Sequence, residues 1–110
     1  MEKAFQTISA VIIRSEKAQE KFVPGTSHYA LLKNRIKALN IASSLITKEL
    51  DESYIIDYTK EELEKALAPI ASLISKSEKA QTKLKQGTWQ HTMLEDNLKA
   101  FYIALPLLEK

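Results

Sequence analysis

The chain contains an internal repeat, which constrains its fold more than any other feature of the sequence. Residues 15–19 read Ser-Glu-Lys-Ala-Gln, and the same five residues return at positions 77–81. When residues 2–48 are aligned with residues 64–110 without a gap, 20 of the 47 positions are identical. Unrelated segments share far fewer identities, so we interpret the sequence as a tandem duplication. Residues 49–63 are the linker between the two copies.

Each copy has the pattern of two amphipathic helices. Apolar residues recur at intervals of three and four positions, which places them along one face of an α-helix. The predicted core-facing residues of the first copy are Phe5, Ile8, Ile12, Ser15, Gln19 and Phe22, with Ala4, Val11 and Ala18 alongside, then Leu32, Ile36, Leu39, Ser43, Ile46 and Leu50. Those of the second copy are Leu63, Leu67, Ile70, Ile74, Ser77, Gln81 and Leu84, then Leu94, Leu98, Phe101, Leu105 and Leu108. Four such stripes can be buried only against one another, so we expect the helices to share one core.

Both copies carry a glycine followed by a threonine between their two helices. A glycine at the end of a helix adopts a left-handed conformation at little cost, and the threonine can cap the next helix. We therefore expect tight turns at Gly25 and Gly87. Pro24 disfavours a helical conformation at the residue before it, so the first helix is expected to end about one turn earlier than the third.

The linker ends in a signal for the start of a helix. Residues 59–62, Thr-Lys-Glu-Glu, match a capping box, and Tyr58 and Leu63 occupy the positions of a hydrophobic staple. The third helix is therefore predicted to begin at Lys60. The linker also contains three consecutive apolar residues that we expect to close one end of the core: Tyr54, Ile55 and Ile56.

These elements predict an all-α fold class. Residues 1–110 are expected to form a single four-helix up-down-up-down bundle, built from a tandem duplication of a helical hairpin, with a pseudo-twofold axis. The chain has no cysteine, and 110 residues suffice for a core without disulfide bonds. No apolar run reaches the ~20 residues of a membrane span. The apolar N-terminal stretch recurs in mid-chain, which argues against a signal peptide, so we predict a cytoplasmic protein with no membrane contact.

The repeated pentapeptide contains both core-facing and exposed positions. Its serines and glutamines belong to the core-facing stripes, whereas its glutamates and lysines point outward, where packing does not require them to match. The repeat can therefore reflect ancestry and packing alone, or a partner-binding surface present in both copies. The candidate partner-binding surface consists of Glu16, Lys17, Lys21, Glu78, Lys79, Lys83 and Trp89.

Two features of the second copy have no counterpart in the first. Trp89 is the only tryptophan and stands where the first copy has Ser27. It is expected either to cap the end of the core or, if exposed, to anchor an interface. Pro69 and Pro106 each remove a backbone donor from a helix, which predicts a bend or, alternatively, a ligand groove beside them.

The polar residues form no recognisable catalytic or metal-binding pattern. His28 and His91 occupy different positions of the repeat, and the core-facing stripes contain no carboxylate for a di-metal centre. His91 and Glu95 are one helical turn apart, a spacing that suits a solvated contact as well as it suits a pair of metal ligands. The sequence has no glycine-rich phosphate loop. We therefore expect no enzymatic activity, no cofactor and no metal.

The predicted function is that of a small non-enzymatic protein–protein interaction or regulatory module. Its expected partner is an unidentified protein, or a second copy of the chain as a homo-oligomer. One alternative is a small-molecule-binding bundle with a core cavity beside Ser15, Ser77 or the prolines. A second is weak nucleic-acid binding through Lys33, Arg35 and Lys37. The second copy lacks this basic face and the net charge is only +2, so nucleic acid is the less favoured partner.

Overall fold

The computed structural model describes residues 1–109 and contains four α-helices. In chain order they are α1 (Glu2–Gln19), α2 (Ser27–Leu50), α3 (Lys60–Thr82) and α4 (Trp89–Glu109). Residues 1–109 contain no β-strand, so the predicted all-α class with four helices is confirmed. Lys110, the last residue of the predicted second copy, lies outside the described residues.

The helices pack side by side in an arrangement consistent with a bundle. Helix α1 contacts α2 and α4, helix α3 also contacts α2 and α4, and α2 and α4 contact each other. Within residues 1–109, no Cα atom of α1 lies within 8 Å of a Cα atom of α3. In cross-section the bundle is therefore a rhombus, with α2 and α4 on its short diagonal.

The core is formed mainly by aliphatic side chains. Six large residues are fully buried: Ile8, Leu39, Ile41, Ile46, Ile70 and Phe101. All of these except Ile41 belong to the predicted stripes. Burial of one such side chain stabilises the folded state by about 1.5–3 kcal/mol. Ser15 and Ser77 are also buried, as the sequence predicts for the serines of the repeated pentapeptide.

The predicted stripes are wrong at Phe5, Phe22 and Leu50, which the structure exposes. In α1 the buried residues are Ala4, Ile8, Val11 and Ser15. Helix α1 packs on α2 on one side and on α4 on the other, so its buried face is centred between these two neighbours. The spacing of apolar residues within α1 alone does not reveal that position. Helices α2 and α4 have three neighbours each, and their buried faces are wider than predicted: they add Ala38, Ile41 and Ala42 in α2, and Asn97, Ala100, Ala104 and Leu107 in α4.

The two glycine turns have the same geometry. Gly25 and Gly87 have φ angles of 95° and 93°. The Thr26 hydroxyl accepts a hydrogen bond from the backbone N–H of Tyr29 at 3.2 Å and donates one to the Val23 carbonyl at 2.8 Å. The hydroxyl of Thr88 makes the corresponding bonds, at 3.3 Å from the N–H of His91 and at 2.8 Å to the carbonyl of Lys85. The predicted turns and threonine caps are therefore confirmed.

The end of α1 differs from the prediction. In the frame of the repeat, α1 ends at Gln19 only one residue before the position where α3 ends at Thr82, rather than one turn before it. The residues after both helices make matching short-range bonds, from Lys21 N–H to the Ala18 carbonyl and from Lys83 N–H to the Ala80 carbonyl, each at 3.2 Å. This common tight turn, and not Pro24, determines where the helices end.

The start of α3 is as predicted. The Thr59 hydroxyl accepts from the N–H of Glu62 at 3.1 Å, and Glu62 Oε1 accepts from the N–H of Thr59 at 3.1 Å, which completes the capping box. Tyr58 and Leu63, the residues of the predicted staple, both pack against the core. Their contact with the core fixes the direction in which the chain enters α3.

The predicted role of the apolar linker residues is wrong for Tyr54 and Ile55. Both are exposed, and 83 % of the surface of Ile55 is accessible to solvent. A turn at Asp51 accounts for this, because its carboxylate accepts from the Ser53 N–H at 3.1 Å and its carbonyl accepts from the Tyr54 N–H at 3.0 Å. The hydrogen bonds from Ser53 lower the pKa of Asp51. Tyr58, and neither Tyr54 nor Ile55, packs against the core.

Both prolines lie inside continuous helices, Pro69 in α3 and Pro106 in α4. Within residues 1–109, no helix combines the length and the hydropathy that crossing a bilayer requires.

Candidate functional site

Two grooves run along opposite edges of the bundle. The α1/α4 groove is lined by residues that include Lys3, Ala4, Thr7, Arg14, Trp89, Met93, Asp96, Asn97 and Ala100. The α2/α3 groove is lined by Asn34, Lys37, Ala38, Ile41, Glu62, Lys65, Ala66, Ala68 and Pro69. The grooves occupy equivalent positions of the sequence repeat, and in each a pair of buried alanines lies between the two helices. Because alanine side chains are short, they leave space between the walls that larger residues would fill.

Trp89 lies on the α1/α4 groove and does not cap the core. Its side chain is at the first position of α4, and the residue is 71 % exposed. The prediction that Trp89 covers the end of the core is therefore wrong, and the alternative of an exposed tryptophan holds. Arg14 of α1 approaches Met93 of α4 across the same groove, with 3.4 Å between a guanidinium nitrogen and the methionine sulfur.

Asn97 is a polar residue on the wall of the α1/α4 groove that the sequence reasoning missed. It is only 8 % exposed, and its side chain makes no hydrogen bond to any other described residue. Its amide is therefore free to bind a group that enters the groove. The sequence does contain a signal for this site. Asn97 is a polar residue next to Leu98 and one turn before Phe101, both of which belong to the predicted apolar stripe of the fourth helix.

The two lysines of the α1/α4 groove form ion pairs with α4. Lys3 of α1 reaches Asp96 of α4, with 3.4 Å between the ammonium nitrogen and the carboxylate. Along α4, Lys99 lies 3.9 Å from Glu95, one turn before it. Each lysine on this groove therefore has a carboxylate of α4 at 3.9 Å or less.

The other residues of the predicted partner-binding surface are exposed, but they do not line either groove. Glu16, Lys17, Lys21, Glu78, Lys79 and Lys83 are all accessible to solvent. Glu78 accepts a hydrogen bond from the phenol of Tyr102 at 3.0 Å, and this bond raises the pKa of Tyr102. Of the seven predicted residues, only Trp89 belongs to a concave surface described above.

Aromatic residues at the first glycine turn form a separate cluster. Phe22 stacks on His28, with ring centroids 5.2 Å apart and planes inclined by 11°. Phe22 and Tyr29 line one shallow depression beside Pro24, which does not include Trp89. His28 is thus in a stacking contact and not in a polar site.

The three basic residues of α2 do not form one surface. Lys33 and Lys37 are exposed and lie one turn apart, so they share a helix face. Arg35 points away from that face and is partly buried, and the loss of water around its guanidinium lowers its pKa. Helical geometry therefore separates the residues on which the nucleic-acid alternative depends.

The remaining polar candidates have local structural contacts. The Gln81 amide donates to the backbone carbonyl of His91 at 3.4 Å, as expected for a glutamine that satisfies a backbone group near the turn. Neither groove is lined by Ser15 or Ser77. Among residues 1–109, no cluster of three or more His, Cys, Asp or Glu side chains could hold a metal ion.

In comparisons with protein-family models, curated proteins and solved structures, nothing matches this chain.

Proposed function

We propose that this protein is a small non-enzymatic interaction module that binds another protein in the α1/α4 groove, with Trp89 as the central anchor. The observation that carries the proposal is the 71 % exposure of Trp89 beside Arg14 and Met93. Trp, Arg and Met are the residue types enriched at protein interfaces, and Trp dominates their energetic hot spots. Truncation of a hot-spot residue of this kind typically costs about 2 kcal/mol or more of binding free energy.

The fold in this proposal is an up-down-up-down bundle that arose by duplication of a helical hairpin. Matched burial supports the duplication, since Ala4, Ile8 and Ser15 are buried like their counterparts Ala66, Ile70 and Ser77. The matching hydrogen bonds of the two glycine turns support it as well. The short connections between successive helices favour antiparallel neighbours, and hence the up-down order.

Differences between the copies support a single partner site for each chain. At the positions of the first copy that correspond to Trp89 and Met93, the sequence has Ser27 and Leu31. Arg14 corresponds to Lys76, which lacks the planar guanidinium that stacks on aromatic rings. The residue types typical of interfaces are therefore concentrated on the α1/α4 side. We propose that the protein acts in the cytoplasm.

Site-specific crosslinking tests the proposal. A photoreactive phenylalanine is introduced in place of Thr92, which lines the α1/α4 groove beside Trp89, or, as a matched control, in place of Ala30 at the equivalent position of α2, and the protein is irradiated in the cells that produce it. We expect a discrete crosslinked product from position 92 that is absent from position 30. Wild-type protein in excess should compete for that product, and the Trp89→Ala variant should not. Equal products from both positions, or equal competition by the two proteins, would contradict the proposal.

A further inference from the structure

The α2/α3 groove differs from the α1/α4 groove in its charges. At the positions of Asp96 and Glu95, which pair with lysines in the α1/α4 groove, α2 has Asn34 and Lys33. Lys37 consequently forms no ion pair with any residue of the described chain, and Lys33 adds a second positive charge one turn away. Like charges at this spacing repel each other, so an anion bound between them is favoured.

The two acidic residues near this groove make contacts at the start of α3 and with its cap residue. Glu62 is the one carboxylate on its lining, and its Oε1 accepts hydrogen bonds from the Thr59 N–H at 3.1 Å and from the Thr59 hydroxyl at 3.3 Å. Glu61 pairs with Lys65 at 3.0 Å, and both side chains of this pair are largely exposed. An exposed pair of this kind is weak, so Lys65 can turn to another anion at small cost.

The wall that α3 contributes is also more apolar than its counterpart in the α1/α4 groove. Ala68 and Pro69 stand where α1 has Gln6 and Thr7. With Ala38 and Ile41 of α2, they form an apolar lining to a groove of about 370 Å³. This volume lies in the range of small-molecule sites, which are mostly apolar with a few polar groups that fix orientation.

We propose that the α2/α3 groove binds a small organic anion with an apolar body, such as a medium-chain carboxylate. Its carboxylate pairs with Lys37 and Lys65 and accepts from the Asn34 amide, while its hydrocarbon part covers Ala68 and Pro69. The site is independent of protein binding at Trp89, so either proposal can fail without the other.

The test uses the full-length protein with methyl-labelled alanine and three probes that differ in charge: decanoate, decanol and decylammonium. Binding is followed by the NMR shifts of the Ala38, Ala66 and Ala68 methyl groups and by calorimetry. We expect saturable binding of decanoate, with shifts confined to these residues. Decanol should bind at least about fivefold more weakly, the factor that corresponds to about 1 kcal/mol, which is the interaction of two unit charges about 4 Å apart in water.

Two pairs of variants at positions outside the buried core locate the site. Ala68→Phe fills the groove and should abolish decanoate binding, whereas Gln6→Phe at the equivalent position of α1 should leave it unchanged. Asn34→Asp places a carboxylate beside Lys37, at the position equivalent to Asp96, and should raise the Kd for decanoate about fivefold or more. Asp96→Asn should leave the affinity of the α2/α3 groove unchanged. Circular dichroism checks that each variant keeps its helix content.

Three results would overturn the proposal. The first is the absence of saturable decanoate binding up to its solubility limit. The second is equal affinity for decanoate and decylammonium, which indicates adsorption to apolar surface without recognition of charge. The third is retention of binding by the folded Ala68→Phe variant, which places the ligand elsewhere on the bundle.

Discussion

Gly87 offers a substitution whose cost lies almost entirely in the backbone. Its φ angle is 93°, a conformation that L-amino acids other than glycine rarely adopt. A Cβ atom built at this position meets no other atom within 4 Å. Gly87→Ala therefore causes no steric clash with the rest of the protein, and the expected loss is the intrinsic cost of left-handed backbone for alanine, about 1–2 kcal/mol.

Gly25 provides an internal replicate of this experiment. Its φ angle is 95°, and a Cβ atom there also meets nothing within 4 Å. Gly25→Ala should therefore cost the same as Gly87→Ala within error. Asparagine tolerates the left-handed region better than alanine, so Gly87→Asn should recover part of the loss. In a chemically synthesised chain, D-alanine at position 87 should stabilise the fold, because it restricts the unfolded chain without strain in the turn.

The assay is urea unfolding followed by far-UV circular dichroism. Trp89 fluorescence is a poor probe, because the ring is 71 % exposed in the folded state. In a thermal melt of the same variants, a loss of about 1 kcal/mol in a domain of this size corresponds to a fall in Tm of roughly 4–8 °C. A neutral effect of alanine at either glycine, or equal destabilisation by D-alanine and L-alanine, would contradict a backbone origin of this loss.

Three further predictions concern other parts of the fold. Ile8→Ala and Ile70→Ala each remove a fully buried side chain, and each should lower the free energy of unfolding by about 2–5 kcal/mol in the same urea assay. Thr59→Ala removes the cap of α3 and should cost about 0.5–2 kcal/mol, which a fall in Tm of the variant will report. Glu78→Gln removes the carboxylate that raises the pKa of Tyr102, so a spectrophotometric titration should find that pKa nearer its usual value of 10.0. Because the folded-state pKa is raised, the contribution of this contact to stability is present below pH 10.0 and is lost as the pH rises through the folded-state pKa.

Features that depend on neighbouring residues in the chain could be predicted well from the sequence. The capping box at residues 59–62 and the threonine caps after Gly25 and Gly87 need only three or four consecutive residues, because a helix start satisfies its own backbone donors. The position of Ile70 and Phe101 in the core follows from spacing within a single helix. These predictions required no knowledge of which helix lies beside which.

Features that depend on the arrangement of helices in space could not be predicted in the same way. The burial of Ala38 and Ala104 arises because α2 and α4 lie on the short diagonal of the bundle, and spacing within one helix does not specify its diagonal neighbour. Phe5 matches an apolar stripe and is nevertheless exposed, because α1 has only two neighbours. The exposure of Ile55 follows from the turn that Asp51 and Ser53 form, which an apolar run in the linker does not indicate.

The same distinction applies to the grooves. The sequence identified Trp89 as unusual and associated Pro69 with a groove, and both residues line concave surfaces. The sequence did not indicate that Lys3 and Asp96 meet across the α1/α4 groove or that Asn97 lines it, because these residues come from different copies or lie among apolar neighbours. The contrast between Asp96 and Asn34 depends on which residues face them from α1 and α3, and spacing along one helix does not specify those residues.

The rhombic arrangement has a consequence for hydrogen exchange. Helices α2 and α4 each have three neighbours, whereas α1 and α3 have two. Backbone amides of α1 and α3 should therefore exchange through partial openings of lower free energy, while those in the middle of α2 and α4 exchange only on global unfolding. Each groove has one wall on an outer helix and one on the central pair. A ligand in the α2/α3 groove should thus slow exchange in α3, and a partner on Trp89 should slow it in α1, so that exchange protection reports which groove is occupied.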